Sequence, residues 1–467
     1  MTTIAVIGAG FSGTLLSLHL LRRCPAPTRV VLIERSSKFG PGLAFSTGNP
    51  NHILNVPAGR MSAFHERPDD FLNWLCEQPD QPCAEEAPTA GTFAPRRTFG
   101  AYVRSLLNEE IKRSGSDRLR LVHADTVELD RSGHPLRISL ADGRAIDADY
   151  LALAVGNFPP EPLPAANAAF YDSAFYRPDP WASDALTELQ PDDPVLLLGT
   201  GLTAVDAVIS LLDNGHTGPV WALSRRGLLP RHHASAPPIA TEPAPYPTSV
   251  TALTKFLRKE AERALAAGGA WQPVIDALRP FTVDIWQAMP LAERRRFLQH
   301  LRPWWDVHRH RMAPQVASRI DAARSSGQFR PLVGRVRDYA IEGSRVQVIY
   351  QPRGQAGQAS VEVARVISCA GPGADYDRIA DPLIQGLLRD GVVRPDPLRL
   401  GLDVSANCAL LDRNGAVSRR LFAMGPVTKG AFWEMTAVPD IRRQAERLAD
   451  YMAGVVKAAP PRLETVR

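Results

Sequence analysis

Residues 4–13 read Ile-Ala-Val-Ile-Gly-Ala-Gly-Phe-Ser-Gly, and this stretch decides the fold of the chain. Its four apolar residues predict a short buried parallel strand, and the leucine-rich run that follows predicts a helix. In the GxGxxG pattern between them, Gly8 makes the tight turn, Gly10 lets the backbone approach a pyrophosphate, and Gly13 lets the helix pack on the strand. The helix N-terminus then offers unpaired N–H groups to the phosphates.

A carboxylate follows the second predicted strand at the position where such a motif needs one. Residues 30–33 are apolar, and Glu34 closes them 21 residues after Gly13. A carboxylate there accepts hydrogen bonds from the adenosine ribose and repels a 2′-phosphate. The alternative is a chance turn with a surface glutamate. The residues predicted to contact this first dinucleotide are Gly8, Gly10, Phe11, Ser12, Gly13, Glu34 and Arg35.

The same pattern returns about two hundred residues later. Residues 195–198 are apolar and precede a GxGxxA motif, and Arg225 lies 21 residues after Ala204. The charge at this offset is now positive, so the strand end can neutralise a 2′-phosphate. We therefore assign FAD to the first site and NADPH to the second; alternatively, the arginines only cover a solvated strand end. The predicted contacts of the second site are Gly199, Gly201, Leu202, Thr203, Ala204, Ser224, Arg225 and Arg226.

Two such motifs at this separation predict an α/β fold with two Rossmann-type, three-layer domains. A strand reaches a turn at Gly156, a further predicted cofactor contact, and residues 366–371 repeat that pattern. The expected FAD domain is 1–160 and 373–467, with the NADPH domain, 161–372, inserted in it. Within the latter, 231–330 is predicted to be a helical insertion, with helices at 249–266, 271–278 and 291–300. Stretches 119–150 and 329–365 are predicted to form β-hairpins or meanders.

Composition excludes several classes of protein. A net charge of +5 over 467 residues does not predict nucleic-acid binding. No apolar run approaches the length of a membrane span, and the chain enters a strand at Ile4, so we expect a cytoplasmic protein without a signal peptide. The cysteines lack CxxC spacing, so we expect no metal site or disulfide framework; Cys76 and Cys83 are interpreted as incidental.

Longer segments resemble a bacterial FAD/NAD(P)-binding family that includes a flavin-dependent urate hydroxylase and is related in layout to flavin monooxygenases. The resemblance implies that residues 40–62 wrap the FAD diphosphate and flavin, and that Gly425 and Pro426 close over the ribityl chain. Many flavoproteins carry an aspartate where this chain has Pro426. The resemblance is carried by residues 8–13, 40–47, 52–58, 199–206, 304–314 and 425–442. Further FAD contacts implied are Gly42, Leu43, Ala44, Asn55 and Met61.

Three chemistries compete for the flavin. Residues 36–62 contain no cysteine, which argues against a disulfide reductase. The resemblance favours an NADPH-dependent monooxygenase acting through a C4a-hydroperoxyflavin; the alternative is an NAD(P)H-dependent flavin reductase or electron-transfer flavoprotein. The expected partners are O2 and a small nitrogenous substrate, a urate-like heterocycle or an amine. The sequence leaves the oligomeric state open, with a homodimer as one option.

Candidate catalytic residues are Asn55, His308, His310 and Trp433. Asn55 is predicted beside the isoalloxazine, with turn capping as the alternative. His308 and His310 are predicted to bind an anion or move a proton, with Asp306 orienting one of them; alternatively, this basic segment pairs with acids across a domain boundary. Trp433 is placed beside the flavin by the resemblance. Its neighbours there are Lys429 and Glu434. The insertion adds Trp271, Trp286, Trp304 and Trp305, interpreted as an aromatic wall or core, and a loop or lid at 234–248.

Overall fold

The computed structural model describes residues 1–78, 87–234, 236–239 and 245–458. Cys83 and part of the predicted 234–248 lid lie outside this set. The chain divides into two compact units. The first comprises Met1–Gly48, Val56–Phe158 and the chain from Ala374 onward, and the second comprises Asn49–Asn55 and Pro159–Gly373. The predicted FAD domain includes all of 1–160, whereas Asn49–Asn55 groups with the second unit.

The first unit begins with a βαβ arrangement. Residues 4–7 are at most 7 % exposed, as expected for a strand covered on both faces. The elements are β1 (Thr2–Ile7), α1 (Phe11–Arg23), β2 (Thr28–Glu34), α2 (Asp70–Cys76), α3 (Arg96–Arg118), β3 (Leu119–His123), β4 (Thr126–Asp130), β5 (Leu136–Leu140), β6 (Ala145–Ala148) and β7 (Tyr150–Leu153).

The second unit carries the second βαβ arrangement and the helical insertion. Its elements are β8 (Tyr176–Arg177), β9 (Val195–Leu198), α4 (Leu202–Asp213), β10 (Val220–Ser224), α5 (Val250–Ala266), α6 (Gln272–Ala277), α7 (Thr282–Ala288), α8 (Leu291–Arg296), α9 (Arg302–Arg309), α10 (Pro314–Ser325), β11 (Phe329–Glu342), β12 (Arg345–Pro352), β13 (Ala359–Val363) and β14 (Arg365–Ser368).

The chain then returns to the first unit and completes its sheet. The last elements are α11 (Pro382–Arg389), β15 (Ala409–Leu411), β16 (Val417–Ala423), α12 (Lys429–Phe432) and α13 (Val438–Ala458). The sheet of the first unit has the order β15-β16-β7-β1-β2-β3, and that of the second has the order β13-β12-β11-β10-β9-β14-β8. Both are parallel around the central strands, with antiparallel additions at the edges. The predicted α/β class with two Rossmann-type sheets is confirmed.

The two units repeat one turn geometry after their first central strand. Gly8 has φ +98°, and a Cβ built on it would lie 2.3 Å from the Ala154 carbonyl oxygen. Gly199 has φ +122°, and its Cβ would lie 2.3 Å from the Cys369 carbonyl oxygen. In each unit a left-handed glycine therefore lets the turn pass directly over the neighbouring parallel strand.

Some local predictions differ from the structure. Residues 119–123 pair in parallel with β2, because α3 is a crossover helix; β4, β5 and β6 alone form the antiparallel meander. In the insertion, the predicted helices do not include α7, α9 or α10, and a π-helical turn at Phe297–Leu301 joins α8 to α9. Among the described residues, no helix is both long and apolar enough to span a membrane.

Candidate functional site

The first glycine-rich loop, Gly8–Gly13, leads into the start of α1. Gly10 is the N-cap in extended conformation, and no side chain caps the helix. Phe11 and Ser12, the first two residues of the helix, are both buried. Gly13 is required by packing, because a Cβ there would lie 1.9 Å from the Gly8 carbonyl oxygen. The uncapped N–H groups of this turn are the donors an anion needs.

The segment at Gly42 lies directly against this loop. A Cβ on Gly42, whose φ is +62°, would be 3.0 Å from the Gly10 Cα. Leu43 is 60 % exposed and Ala44 is also exposed, whereas Phe45 packs into an aromatic cluster with its ring 4.7 Å from that of Phe99. The structure therefore brings Gly10 and Gly42 together and leaves an apolar surface beside them.

The predicted ribose carboxylate is held in place by the loop itself. Glu34 Oε2 accepts from the Ala9 N–H at 2.7 Å, and its Oε1 accepts from the Ser36 N–H at 2.9 Å. Arg35, by contrast, is engaged elsewhere: its guanidinium lies 2.8 Å from Asp381 and 3.6 Å from Asp125. Burial opposes the charged form of Arg35, but these carboxylates raise its pKa above the ordinary value.

The closing segment of the first unit reaches the same loop. Gly425 has φ +77°, and a Cβ on it would lie 2.7 Å from Ser12 Oγ. Its N–H donates to Gln444 Oε1 at 2.7 Å, and its carbonyl accepts from Thr428 Oγ1 at 2.8 Å. Gln444 Nε2 also donates to Thr428 Oγ1 at 2.9 Å. These buried hydrogen bonds fix the backbone around Pro426, and no local pattern in the sequence indicates Gln444.

Trp433 adopts a backbone conformation that is rare for a bulky residue. It has φ +34° at the end of α12 and is 4 % exposed. The Lys429 ammonium lies 4.8 Å from its ring centroid, within cation–π distance, and Glu434 is buried. Such strain persists only where surrounding structure enforces it, which marks this turn as a candidate functional position.

The two remaining residues of the first unit that are predicted to contact FAD, Met61 and Gly156, differ in their burial. Met61 is 2 % exposed, and its N–H donates to the Ala58 carbonyl oxygen at 3.0 Å. Gly156 has φ +72°, and no heavy atom lies within 4 Å of a Cβ built on it. Met61 therefore belongs to the core beneath the segment, while Gly156 has open space in front of it.

The second glycine-rich loop also leads into a helix without a side-chain cap, but it carries Ala204 where the first loop has Gly13. Gly201 is the N-cap of α4 in extended conformation, and no heavy atom lies within 4 Å of a Cβ built on it. Leu202 and Thr203 are half-buried in the first turn. Ala204, at the position equivalent to Gly13, is fully buried, so this loop accommodates a methyl group between helix and strand.

The end of β10 carries the predicted 2′-phosphate residues. Arg225 is exposed and Arg226 half-buried, and the structure gives neither side chain a hydrogen bond or ion pair within the residues it describes. Ser224 is instead part of the loop: its Oγ accepts from the Gly227 N–H at 2.9 Å and lies 3.0 Å from Thr200 Oγ1. The two arginines are therefore the available cations at this strand end.

Asn55 lies at the end of the short segment that groups with the second unit. Its carbonyl oxygen lies 3.0 Å from His233 Nε2. His233 follows β10, and its N–H donates to the Met312 carbonyl at the neck of the insertion. The residue predicted beside the flavin is thus fixed, through its backbone, to the second unit.

The basic segment of the insertion has partners of its own. His308 Nδ1 lies 2.7 Å from the Trp304 carbonyl oxygen, not on Asp306, and its ring packs edge-on against Trp271. Arg311, 2 % exposed, forms a bidentate pair with Asp276 at 2.6 and 2.7 Å. His310 is half-buried at the C-terminal end of α9. These contacts join α9 and the residues that follow it to α6, and the acid that pairs with Arg311 lies in the same insertion, not across a domain boundary.

Three thiols of the described chain, those of Cys24, Cys369 and Cys408, are buried, and burial disfavours their reactive thiolate form. Burial raises the pKa of Cys24 to about 11 and that of Cys408 to about 12, and it raises the pKa of Cys369 further. Cys24, Cys369 and Cys408 form no disulfide among the residues that the structure describes. The described part of the chain also contains no cluster of three or more His, Cys, Asp or Glu side chains that could hold a metal ion.

Residues 5–158 match a family model described as FAD-NAD(P)-binding, which covers about a third of the chain. Along its whole length the chain is similar in structure to the ornithine hydroxylase of Pseudomonas aeruginosa, with a TM-score of 0.66, 16 % identity and coverage of 97 % of this chain and 99 % of the other. This is the fold of the two-dinucleotide-binding flavoproteins.

A second solved structure and one curated relative add detail. The ornithine N-hydroxylase of Kutzneria sp. 744, solved with reduced FAD, NADP+ and L-ornithine, has a TM-score of 0.64, 12 % identity and coverage of 96 % and 98 %. In sequence, the chain is 26 % identical over 300 residues to an L-aspartate N-monooxygenase (nitrosuccinate-forming) of Streptomyces cremeus. That match covers 56 % of this chain and spans less than half, 44 %, of the relative.

Proposed function

We propose that this chain is an FAD-dependent N-monooxygenase that consumes NADPH and O2 to hydroxylate a small amine. The observation that carries the proposal is the pair of glycine-rich turns without a side-chain cap, one followed by a fixed carboxylate and the other by two arginines that have no ion pair among the described residues. The relatives act on ornithine and aspartate, so their names favour an amine. They offer no support for the urate-like heterocycle considered from the sequence.

The residues of the first unit fit FAD. Gly10 and Gly42 leave room for a pyrophosphate, and Glu34 is pre-oriented to accept from ribose hydroxyls. Gly425 places its backbone against Ser12, and the buried hydrogen bonds of Gln444 hold that segment rigid. Exposed Leu43 offers apolar surface that a bound flavin would cover. Bound flavin supplies the oxygen chemistry, and these residues bind and orient it.

The residues of the second unit fit NADPH in preference to NADH. The open Gly201 turn receives the pyrophosphate at the start of α4. Arg225 and Arg226 have no carboxylate partner among the described residues, so their charge is available to a 2′-phosphate. In the overall reaction, amine, O2, NADPH and a proton give hydroxylamine, water and NADP+.

Stoichiometry tests this proposal against the reductase alternative. FAD-loaded protein is mixed with NADPH and a panel of amino acids and diamines, while NADPH oxidation, O2 uptake and hydrogen peroxide are followed. An N-monooxygenase gives amine-stimulated NADPH oxidation with hydroxylamine in equal amount and little peroxide. A reductase gives oxidation that no amine stimulates and that an artificial electron acceptor accelerates.

A further inference from the structure

Residues Asn49–Asn55 form a short segment, here called the tether. The proposed function does not by itself require this segment to lie in the second unit. The tether lies within the 40–62 segment proposed to wrap the flavin, yet it groups with the second unit. The chain enters it directly from Gly48 and leaves it at Val56, both of which belong to the first unit. The contacts that set its position are those with the second unit.

One face of α4 holds the tether. Asp206, Ser210 and Asp213 are spaced i, i+4 and i+7 and so share a face of this helix. Buried His52 places Nε2 2.8 Å from Ser210 Oγ and 3.1 Å from the Asp206 carbonyl oxygen. Because a carbonyl only accepts, His52 Nε2 carries the proton that it donates there.

Two asparagines complete the anchor at the C-terminal end of α4. The Nδ2 groups of Asn49 and Asn51 donate to Asp213 Oδ2 at 2.8 and 3.0 Å. Arg319 donates to the other oxygen of that carboxylate at 2.6 Å. Burial opposes the charged form of Asp213, but these donors lower its pKa, so the carboxylate stays an acceptor.

The far end of the tether is fixed to the neck of the insertion. His233 binds the Asn55 carbonyl, and the neighbouring backbone pairs with the strand-like segment at Met312. The tether is thus held on the helix that begins at the Gly201 turn and on the base of the helical insertion.

We infer that the Asn49–Asn55 tether is a positioning element held by Asn49, Asn51 and His52: it fixes Asn55 relative to the NADPH-binding helix, so that hydride transfer to the flavin depends on these contacts. The inference rests on the proposed function. The step affected is reduction of the flavin by NADPH. Loss of the hydrogen bonds that hold the tether should slow this step without weakening the binding of FAD or NADPH.

The test compares two ways of cutting the anchor. The double variant Asn49→Ala/Asn51→Ala removes exposed hydrogen bonds, and His52→Leu removes the buried ones. His52→Gln retains a donor in a similar place and serves as the conservative rescue. Asn214→Ala, one residue beyond Asp213 and exposed, is the matched control. FAD content, NADP+ affinity and anaerobic reduction at saturating NADPH are measured for each.

We expect the double variant to keep FAD content and NADP+ affinity within about two-fold, while the reduction rate falls about ten-fold or more, because a displacement near 1 Å has effects of that order. A folded His52→Leu variant should show the same fall in the reduction rate, whereas His52→Gln and Asn214→Ala should stay near the wild-type rate. Hydrogen exchange of residues 49–56 without cofactors gives a readout independent of turnover, and it should accelerate in the double variant.

Each contrary result has a definite meaning. If hydrogen exchange of residues 49–56 accelerates in the double variant while the rate of flavin reduction is unchanged, the positioning role is overturned. If the exchange is unchanged, the hydrogen bonds of Asn49 and Asn51 do not hold the tether. If His52→Leu fails to fold, the double variant still decides. If NADPH does not reduce the wild-type flavin, the proposed function itself fails, and the exchange comparison still reports on the anchor.

Discussion

The substitution Gly201→Ala should weaken NADPH binding while leaving the free energy of unfolding nearly unchanged. Gly201 has φ −81° and ψ −169°, a conformation open to any residue, and an added Cβ meets no heavy atom within 4 Å. Alanine at a helix N-cap costs about 1 kcal/mol relative to good caps. Removing glycine recovers about 0.4–1 kcal/mol by restricting the unfolded chain. The free energy of unfolding should therefore change by less than about 1 kcal/mol.

The effect on NADPH should be much larger. If the pyrophosphate lies against this turn, the methyl group displaces it from the N–H groups of α4. Losing one such charge-assisted hydrogen bond costs about 1.5–3 kcal/mol, which is about ten- to a hundred-fold in affinity. The matched variant is Gly199→Ala, whose Cβ would lie 2.3 Å from the Cys369 carbonyl oxygen and whose φ is +122°. That variant should lose stability as well as NADPH.

The assay combines thermal unfolding, FAD content and calorimetric titration with NADP+. Gly201→Ala should unfold within a few degrees of wild type, retain FAD and bind NADP+ at least about ten-fold more weakly. A folded Gly201→Ala protein with unchanged NADP+ affinity would refute the placement of the pyrophosphate at this turn.

Three further perturbations test other parts of the account. Arg225→Ala should raise the Michaelis constant for NADPH about ten- to a hundred-fold and leave that for NADH nearly unchanged; equal effects in steady-state kinetics would remove the NADP assignment. Gly10→Val, whose Cβ lies only 3.4 Å from the Gly42 Cα, should abolish FAD retention, and a fully yellow variant would contradict it. The pKa of His19 is lowered from 6.5 to about 4, first by burial and second by the charge of Arg23. The folded protein therefore holds the His19 imidazole in its neutral form. Between pH 6.5 and 4 the unfolded chain binds a proton at His19 that the folded chain does not, so up to about 3 kcal/mol of stability is lost as the pH falls over this range. The variant His19→Gln should reduce this dependence of the free energy of unfolding on pH, as measured by chemical denaturation. An unchanged dependence would oppose this reasoning.

Much of the fold follows from local sequence. Each glycine-rich turn needs only a buried strand, a left-handed glycine and a helix start, and residues close in sequence supply these. The offset from Gly13 to Glu34 spans a single βαβ unit, so the place of the carboxylate could also be predicted.

The remaining site features depend on distant partners. Gln444 holds Gly425 from the last helix, and Asp381 engages Arg35 across 346 residues. The membership of Asn49–Asn55 in the second unit follows from the face of α4 and from His233, neither of which a motif reveals. Hydrogen bonds of this kind depend on tertiary contact, which periodicity and spacing do not encode.

The central claim, oxygen transfer to an amine, is tested most directly with isotopically labelled oxygen. FAD-loaded protein, NADPH and each amine of the panel are incubated under 18O2, and the products are analysed by mass spectrometry. The account predicts an N-hydroxylated amine carrying one oxygen atom from the labelled gas, with the other recovered in water. Unmodified amines throughout the panel, with all labelled oxygen recovered as hydrogen peroxide, would contradict it.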